Sequence, residues 1–279
     1  MLNTPVPAKP EGIAADVWVN MLDASPTEAR RLIRTGAFTA PTSGLCPGYA
    51  QANLIVLPRE QAYDFLLFAQ RNPKPCPLLE VTEVGARETT ICATDCDIAT
   101  DFPRYRIYEY GELVAEVENV ADYWRDDLVS FVIGCSFSFE SELVEAGIEI
   151  RHNTMGRNVP MYLTGVDCKP AGTMSGKMVM SMRPIPHDQV VKAVQISGAI
   201  PQVHGAPIHI GDPAAIGVRD IARPEFGDPV DIHEGEVPVF WACGVTPQSI
   251  VMNSKPPFAI THAPGCMLIT DTKNIDLKE

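Results

Sequence analysis

The chain has 279 residues, with 22 Lys+Arg against 35 Asp+Glu, a formal net charge of −13. That balance argues against a surface for polyphosphate or an anionic bilayer, because no run of basic residues is longer than Arg30-Arg31. A hydrophobic content of 46% with 20% charged residues excludes a disordered chain and matches a globular protein with a sizeable core.

The first thirty residues carry Pro5, Pro7 and Pro10 but neither a basic n-region nor an apolar h-region, so no signal peptide is read there. No stretch approaches the roughly 20 apolar residues of a membrane span. Cysteines at 46, 76, 92, 96, 135, 168, 243 and 266 lie mostly in apolar runs and read as reduced core thiols, so a cytoplasmic protein is expected. Cys92-x3-Cys96 lacks a second Cys/His pair at zinc spacing.

In chain order, Ala15–Leu22 and Ser25–Ile33 read as two helices, the second with a Ser cap and proline at its first position. A loop over Thr39–Tyr49 leads to a strand at Ala52–Leu57 and a helix at Arg59–Gln70. After a break at Asn72–Pro77 come extended stretches at Leu78–Val84 and Arg104–Val117, the latter a hairpin about Gly111. Leu128–Ile133 is a strand running into Gly134-Cys135-Ser136-Phe137-Ser138-Phe139-Glu140, with a helix on to Ala146. Val159–Val166 and Lys177–Met182 form a hairpin, and a helix covers Asp188–Ile200.

Three more apolar runs end in small-residue clusters. They are Ala206–Ile210 before Gly211-Asp212-Pro213, Val237–Ala242 before Cys243-Gly244-Val245-Thr246-Pro247, and Phe258–His262 before Ala263-Pro264-Gly265. Asp212 and Thr246 are each read as a cap, with the following proline as first helical residue. The texture is α/β, expected as a three-layer α/β/α main domain over 1–148 and 201–279 with a smaller inserted β-β-α domain over 149–200. No internal repeat is evident at the level of sequence.

If the strands are mostly parallel, their carboxyl ends gather Ser136, Ser138, His209, Asp212, Cys243, Thr246 and His262 on one edge, where open α/β sheets bind ligands. Helix N-termini there suit carboxylate or phosphate groups. His204, His209 and His262 border strand ends, each either a satisfied structural histidine or a site residue; His204 and His209 together make a weak metal pair. His152, His187 and His233 are read as surface histidines. Cys243 precedes a helix N-terminus, where a thiolate is stabilised, yet Trp241-Ala242 beside it suggest a buried thiol. Gly134-Cys135-Ser136-Phe137-Ser138 lacks the final glycine of a nucleophile elbow, and no glycine-rich nucleotide motif occurs.

The chain carries Thr42-Ser43-Gly44 through Pro47-Gly48-Tyr49 to Gln51-Ala52-Asn53, the 134–140 segment, Arg151-His152-Asn153, His204 to Pro213, Pro238 to Gln248, and Thr261 to Gly265. Taken together, these ordered strings resemble the hydro-lyase family grouped with D-glutamate cyclase. The resemblance spans essentially the whole chain and implies a two-domain α/β fold and a lyase acting on a small amino or carboxylic acid. The best single expectation is closure of D-glutamate to 5-oxo-D-proline and water.

For that chemistry His209 or His262 would carry protons, with Asp212 orienting or acting as base; His204 and Cys243 complete the catalytic candidates. Ser136, Ser138, Arg151, Asn153, Thr246, Gly44, Tyr49 and Asn53 would hold the substrate. No cofactor is required by the sequence, and a divalent metal is possible. The expected partner is a small carboxylate, with no nucleic acid or membrane and with a possible homo-oligomer. Two other readings compete: an amide-forming or amide-cleaving enzyme using Cys243, and a non-catalytic small-acid binding protein.

Overall fold

The computed structural model describes residues 9–279; the stretch with Pro5 and Pro7 lies outside them. Helices α1 (Ala15–Asp23) and α2 (Pro26–Arg34) open the fold, α2 with the expected cap: the Ser25 hydroxyl accepts from the Glu28 amide and the Glu28 carboxylate accepts from the Ser25 amide. Then follow β1 (Tyr49–Pro58), α3 (Arg59–Arg71), β2 (Leu78–Val81), β3 (Tyr105–Glu109), β4 (Glu112–Val117), β5 (Leu128–Gly134), α4 (Phe137–Glu145) and α5 (Arg151–Thr154). The chain continues through β6 (Met161–Asp167), β7 (Lys177–Pro186), α6 (Val190–Gly198), β8 (His209–Ile210), β9 (Glu236–Ala242), α7 (Val245–Ser254), β10 (Ala259–His262) and β11 (Leu268–Lys273).

The mixed α/β class holds, but every strand pair is antiparallel, which corrects the premise of a parallel sheet with all carboxyl ends on one edge. A seven-stranded sheet runs β2-β5-β1-β10-β3-β4, with β11 also on β1, and a four-stranded sheet runs β6-β7-β9-β8. The second sheet therefore takes strands as late as Ala242, so a border at residue 200 cuts through it.

The two sheets contain the same unit. The order β2-β5-β1-β10 matches β8-β9-β7-β6, and Ala52 opposes Gly134 as Met180 opposes Ala242. Leu57-Pro58-Arg59-Glu60-Gln61 leaves β1 for α3 as Ile185-Pro186-His187-Asp188-Gln189 leaves β7 for α6. After β5 and after β9 the chain passes a cysteine and one small residue into α4 and α7. The fourth strand of each unit is exchanged: β6, which follows α4 and α5, pairs with β7, and β10, which follows α7, pairs with β1.

Packing follows the exchange. Phe65 and Phe68 of α3 share one core with Ile250 and Val251 of α7, with Ile55 and Phe131 of the first sheet and with Met180 and Phe240 of the second. Phe139 and Leu143 of α4 share another with Ala193 of α6 and with Ile185 and Trp241. Each such fully buried large side chain contributes about 1.5–3 kcal/mol.

Candidate functional site

The two strand-to-helix turns have the same local construction. The Cys135 amide donates to Gln51 O (3.1 Å) on β1, while the Gln51 amide donates to the Ser138 hydroxyl (3.3 Å). The Cys243 amide donates to Val179 O (3.1 Å) on β7, while the Val179 amide donates to the Thr246 hydroxyl (3.0 Å). Ser138 and Thr246 thus fasten each helix start to the neighbouring strand. Thr246 does not cap α7, which begins at Val245 with Gly244 as its cap residue.

Between the turns lies a cavity of about 400 Å³, walled by Cys135 and Ser136 from one turn and by Cys243, Gly244 and Gln248 from the other, with Asn53, Arg106 and His262. Asn53 is fixed by donating to Gly134 O (3.1 Å). A Cβ on Gly244 would fall 2.3 Å from Asn53 Nδ2, so glycine is the residue that lets the turn close over that amide. Arg106 brings a cation to the wall and is steadied through Nε by Glu116 (2.9 Å).

His262 is buried at the end of β10, where the Leu54 amide donates to its Nδ1 (3.1 Å). Nδ1 is therefore the acceptor, and the neutral ring carries its proton on Nε2. Burial lowers its pKa to about 4, so the ring is neutral at pH 7. The Gln248 amide lies 3.1 Å from Nδ1 and 3.4 Å from Nε2.

Burial pushes the Cys135 thiol up to about 12, opposed by the Phe137 amide and by the Arg183 charge. Burial likewise raises Cys243, opposed by the Val245 and Gly244 amides and by Arg183. Arg183, fully buried, lies behind both turns: its guanidinium donates to Ser136 Oγ (3.1 Å), Ser181 Oγ (2.8 Å) and Glu140, and stacks over Phe139 and Trp241. Burial pushes the Glu140 carboxyl up, but Arg183 and His152 outweigh it and hold the pKa at about 2. His152, read as a surface histidine, is instead buried with Nε2 3.4 Å from Glu140.

The structure brings Asn53, Ser136, Cys243 and His262 to this cavity and disperses the other candidates. His209 sits on β8, with Nε2 2.7 Å from Asp212 O and its ring against Phe240; Asp212 caps a short turn at Ala214. His204 is fully buried and donates from Nδ1 to Lys74 O (2.7 Å), and burial lowers its pKa to about 4. Arg151 spends its guanidinium on Glu149, Glu236 and Asp231 O. Gly44, Tyr49 and the exposed Asn153 line a second cavity of about 130 Å³, and Phe137 lines both cavities.

Arg106, Cys135 and Gln248 were missed as site residues. The available signal was the recurrence of Cys-x-x-Ser/Thr-x-Glu/Gln after a strand, at 135–140 and again at 243–248. All eight cysteines are free and buried, and among the described residues no three His, Cys, Asp or Glu side chains are grouped to hold a metal ion. Among the described residues no helix is long and apolar enough to cross a membrane.

A family model described as D-glutamate cyclase matches residues 129–271, the stretch from β5 through β11 that contains both turns. A Clostridium beijerinckii protein named "Putative hydro-lyase" is 64% identical over 91% of this chain and 97% of its own. A Bacillus subtilis protein named "Putative hydro-lyase YcsI" is 57% identical over 91% of this chain and 98% of its own, and one from Corynebacterium glutamicum is 58% identical over 92% and 98%. The chain belongs to the D-glutamate cyclase family of lyase-type enzymes.

Proposed function

We propose that the cavity binds a small amino dicarboxylate and that the chain closes D-glutamate to 5-oxo-D-proline with loss of water. The observation that carries this reading is the meeting, in one cavity, of two helix N-termini, the Arg106 cation and the neutral ring of His262. A dicarboxylate needs two anion sites, and helix N-terminal amides with an arginine supply them in a protein of net negative charge. Asn53 and Gln248 add amides that can hold the ammonium or carboxylate oxygens.

Ring closure requires the amine to attack the γ-carboxyl carbon and one carboxyl oxygen to leave as water. The two protons lost by the ammonium are those gained by that oxygen, so the site needs a relay and no net proton. Held folded, the substrate gains the proximity advantage of an intramolecular reaction. His262, with its proton on Nε2, is a hydrogen-bond donor for the oxyanion that develops at the γ-carbon. The cavity wall also carries ionisable groups to pass the protons, the Cys135 and Cys243 thiols and the Tyr108 phenol.

The test is incubation of the purified protein with D-glutamate, L-glutamate and a panel of small hydroxy acids, with and without Mn²⁺ or Mg²⁺, followed by mass. Loss of one water from D-glutamate alone supports the reading, and an unchanged panel with folded protein overturns it. His262→Gln should lower turnover about 100-fold, the typical effect of losing an oxyanion donor. His209→Ala should leave turnover unchanged.

A second reading, amide formation or cleavage through Cys243 as nucleophile, is favoured by the position of that thiol on the cavity wall at the start of α7. Loss of activity on alkylation, with acyl transfer to the thiol seen by mass, would select it. A glutamate-induced rise in Tm without turnover would instead mark a binding protein.

A further inference from the structure

Cys135 and Cys243 occupy equivalent positions in the two copies of the β-strand unit, each separated from its helix by one residue. They enter one cavity from different sheets, Cys135 at the end of β5 and Cys243 at the end of β9. The surroundings of the thiols are also paired. Burial raises both thiols, and at each it is opposed by a backbone amide two residues on, Phe137 or Val245, and by the Arg183 charge. Both residues line the same cavity of about 400 Å³, so one small bound molecule can meet both.

We propose that Cys135 and Cys243 act as a proton-transfer pair on the α-carbon of the bound amino acid, so that the cavity exchanges the α-proton of glutamate and inverts its configuration. This rests on the reading above that the cavity holds an amino dicarboxylate. One sulfur, as thiolate, takes the α-proton and becomes a thiol. The electron pair left on the α-carbon is delocalised into the α-carboxylate, held at a helix N-terminus, and the second thiol delivers its proton to the opposite face and becomes the thiolate. No electron is gained or lost, no co-reactant is consumed, and the two sulfurs end with their roles exchanged.

The experiment incubates the full-length protein in ²H₂O separately with D-glutamate and L-glutamate. It reads α-deuterium by proton NMR, configuration by chiral chromatography and 5-oxoproline by mass in the same samples. The expected result is deuterium at the α-carbon with appearance of the other enantiomer. Cys135→Ser and Cys243→Ser should each reduce inversion about 100-fold or more, the usual scale for losing a general acid or base. They should also differ in which enantiomer still exchanges its proton, a split that damage to the fold would not produce.

Should a variant not fold, wild type alkylated with iodoacetamide must lose exchange. Ring closure without α-exchange overturns this proposal and leaves the cyclase reading standing. Exchange with inversion but without ring closure supports it and removes the cyclase reading. Neither reaction with folded protein overturns both, and exchange indifferent to both serines removes the thiols.

Discussion

The turn Cys135-Ser136-Phe137-Ser138-Phe139-Glu140 and the turn Cys243-Gly244-Val245-Thr246-Pro247-Gln248 share a backbone and differ in what stands behind it. Both place a thiol at the cavity and tie the helix to a neighbouring strand through a hydroxyl. Behind the first, Glu140 enters a buried ionic cluster with Arg183 and His152; at the matching place in the second, Gln248 reaches His262. Arg183 itself stands on β7 where β1 carries Ile55, in an apolar core. The same geometry occurs twice, and the different side chains make one copy a charged support and the other a neutral face toward the cavity.

The largest effect should come from the copy with the charge. Arg183→Met leaves Glu140 buried without its principal partner and should cost about 3–5 kcal/mol in denaturant unfolding. Ile55→Val at the matching position should cost about 1 kcal/mol. Equal costs would mean that the ionic cluster contributes little and would break the contrast.

Acid should come next. His204 and His262 have folded pKa values of about 4 against 6.5 unfolded, so the unfolded chain binds more protons between these limits. Their contribution is fully present above pH 6.5 and lost as pH falls to 4, up to about 3 kcal/mol for each ring. Denaturation curves from pH 7.5 to 4 should show that decline, and His204→Asn should flatten part of it. Glu140 adds its own loss only lower, as pH falls from 4.5 toward 2.

Gly244→Ala drives a methyl group into Asn53 and should cost about 1–3 kcal/mol, as overpacking does. Ser136→Ala at the equivalent position removes only one partner of Arg183 and should cost about 1 kcal/mol. A thermal melt of the pair sharpens the comparison, because the larger cost should fall on the side without the charge. The hydroxyl ties come last: Ser138→Ala removes one acceptor for a strand amide, about 1 kcal/mol, and Thr246→Val removes an acceptor and a donor to Val179, about 1–2 kcal/mol.

Local structure was largely legible in the sequence. Tyr49–Pro58, Arg59–Arg71, Leu128–Gly134 and Glu236–Ala242 appear near their expected limits because apolar runs ending in small or polar clusters mark them. Strand direction and partner choice were not legible, since a buried strand reads the same in either orientation. The site suffered accordingly. His262, Asn53, Ser136 and Cys243 converge, whereas His209 and Asp212 were grouped with them only through the assumption of a parallel edge. Arg151 looks free in sequence because its partner Glu236 lies 85 positions away. The repeat was hidden because what it conserves is turn geometry and hydroxyl ties, carried by few identical letters.

The exchange of β6 and β10 bears on how the molecule assembles. Neither half can complete its own sheet: β1 waits for a strand from the far end of the chain, and Leu54 meets His262 across 208 positions. Until that closure β1 presents an open edge, the kind of surface that recruits other chains. Contacts of such separation slow folding, so a nascent or truncated chain ending before residue 259 is exposed to aggregation for longer than its core size suggests. The same interlock joins the halves into one melting unit, since loosening either withdraws a strand from the other.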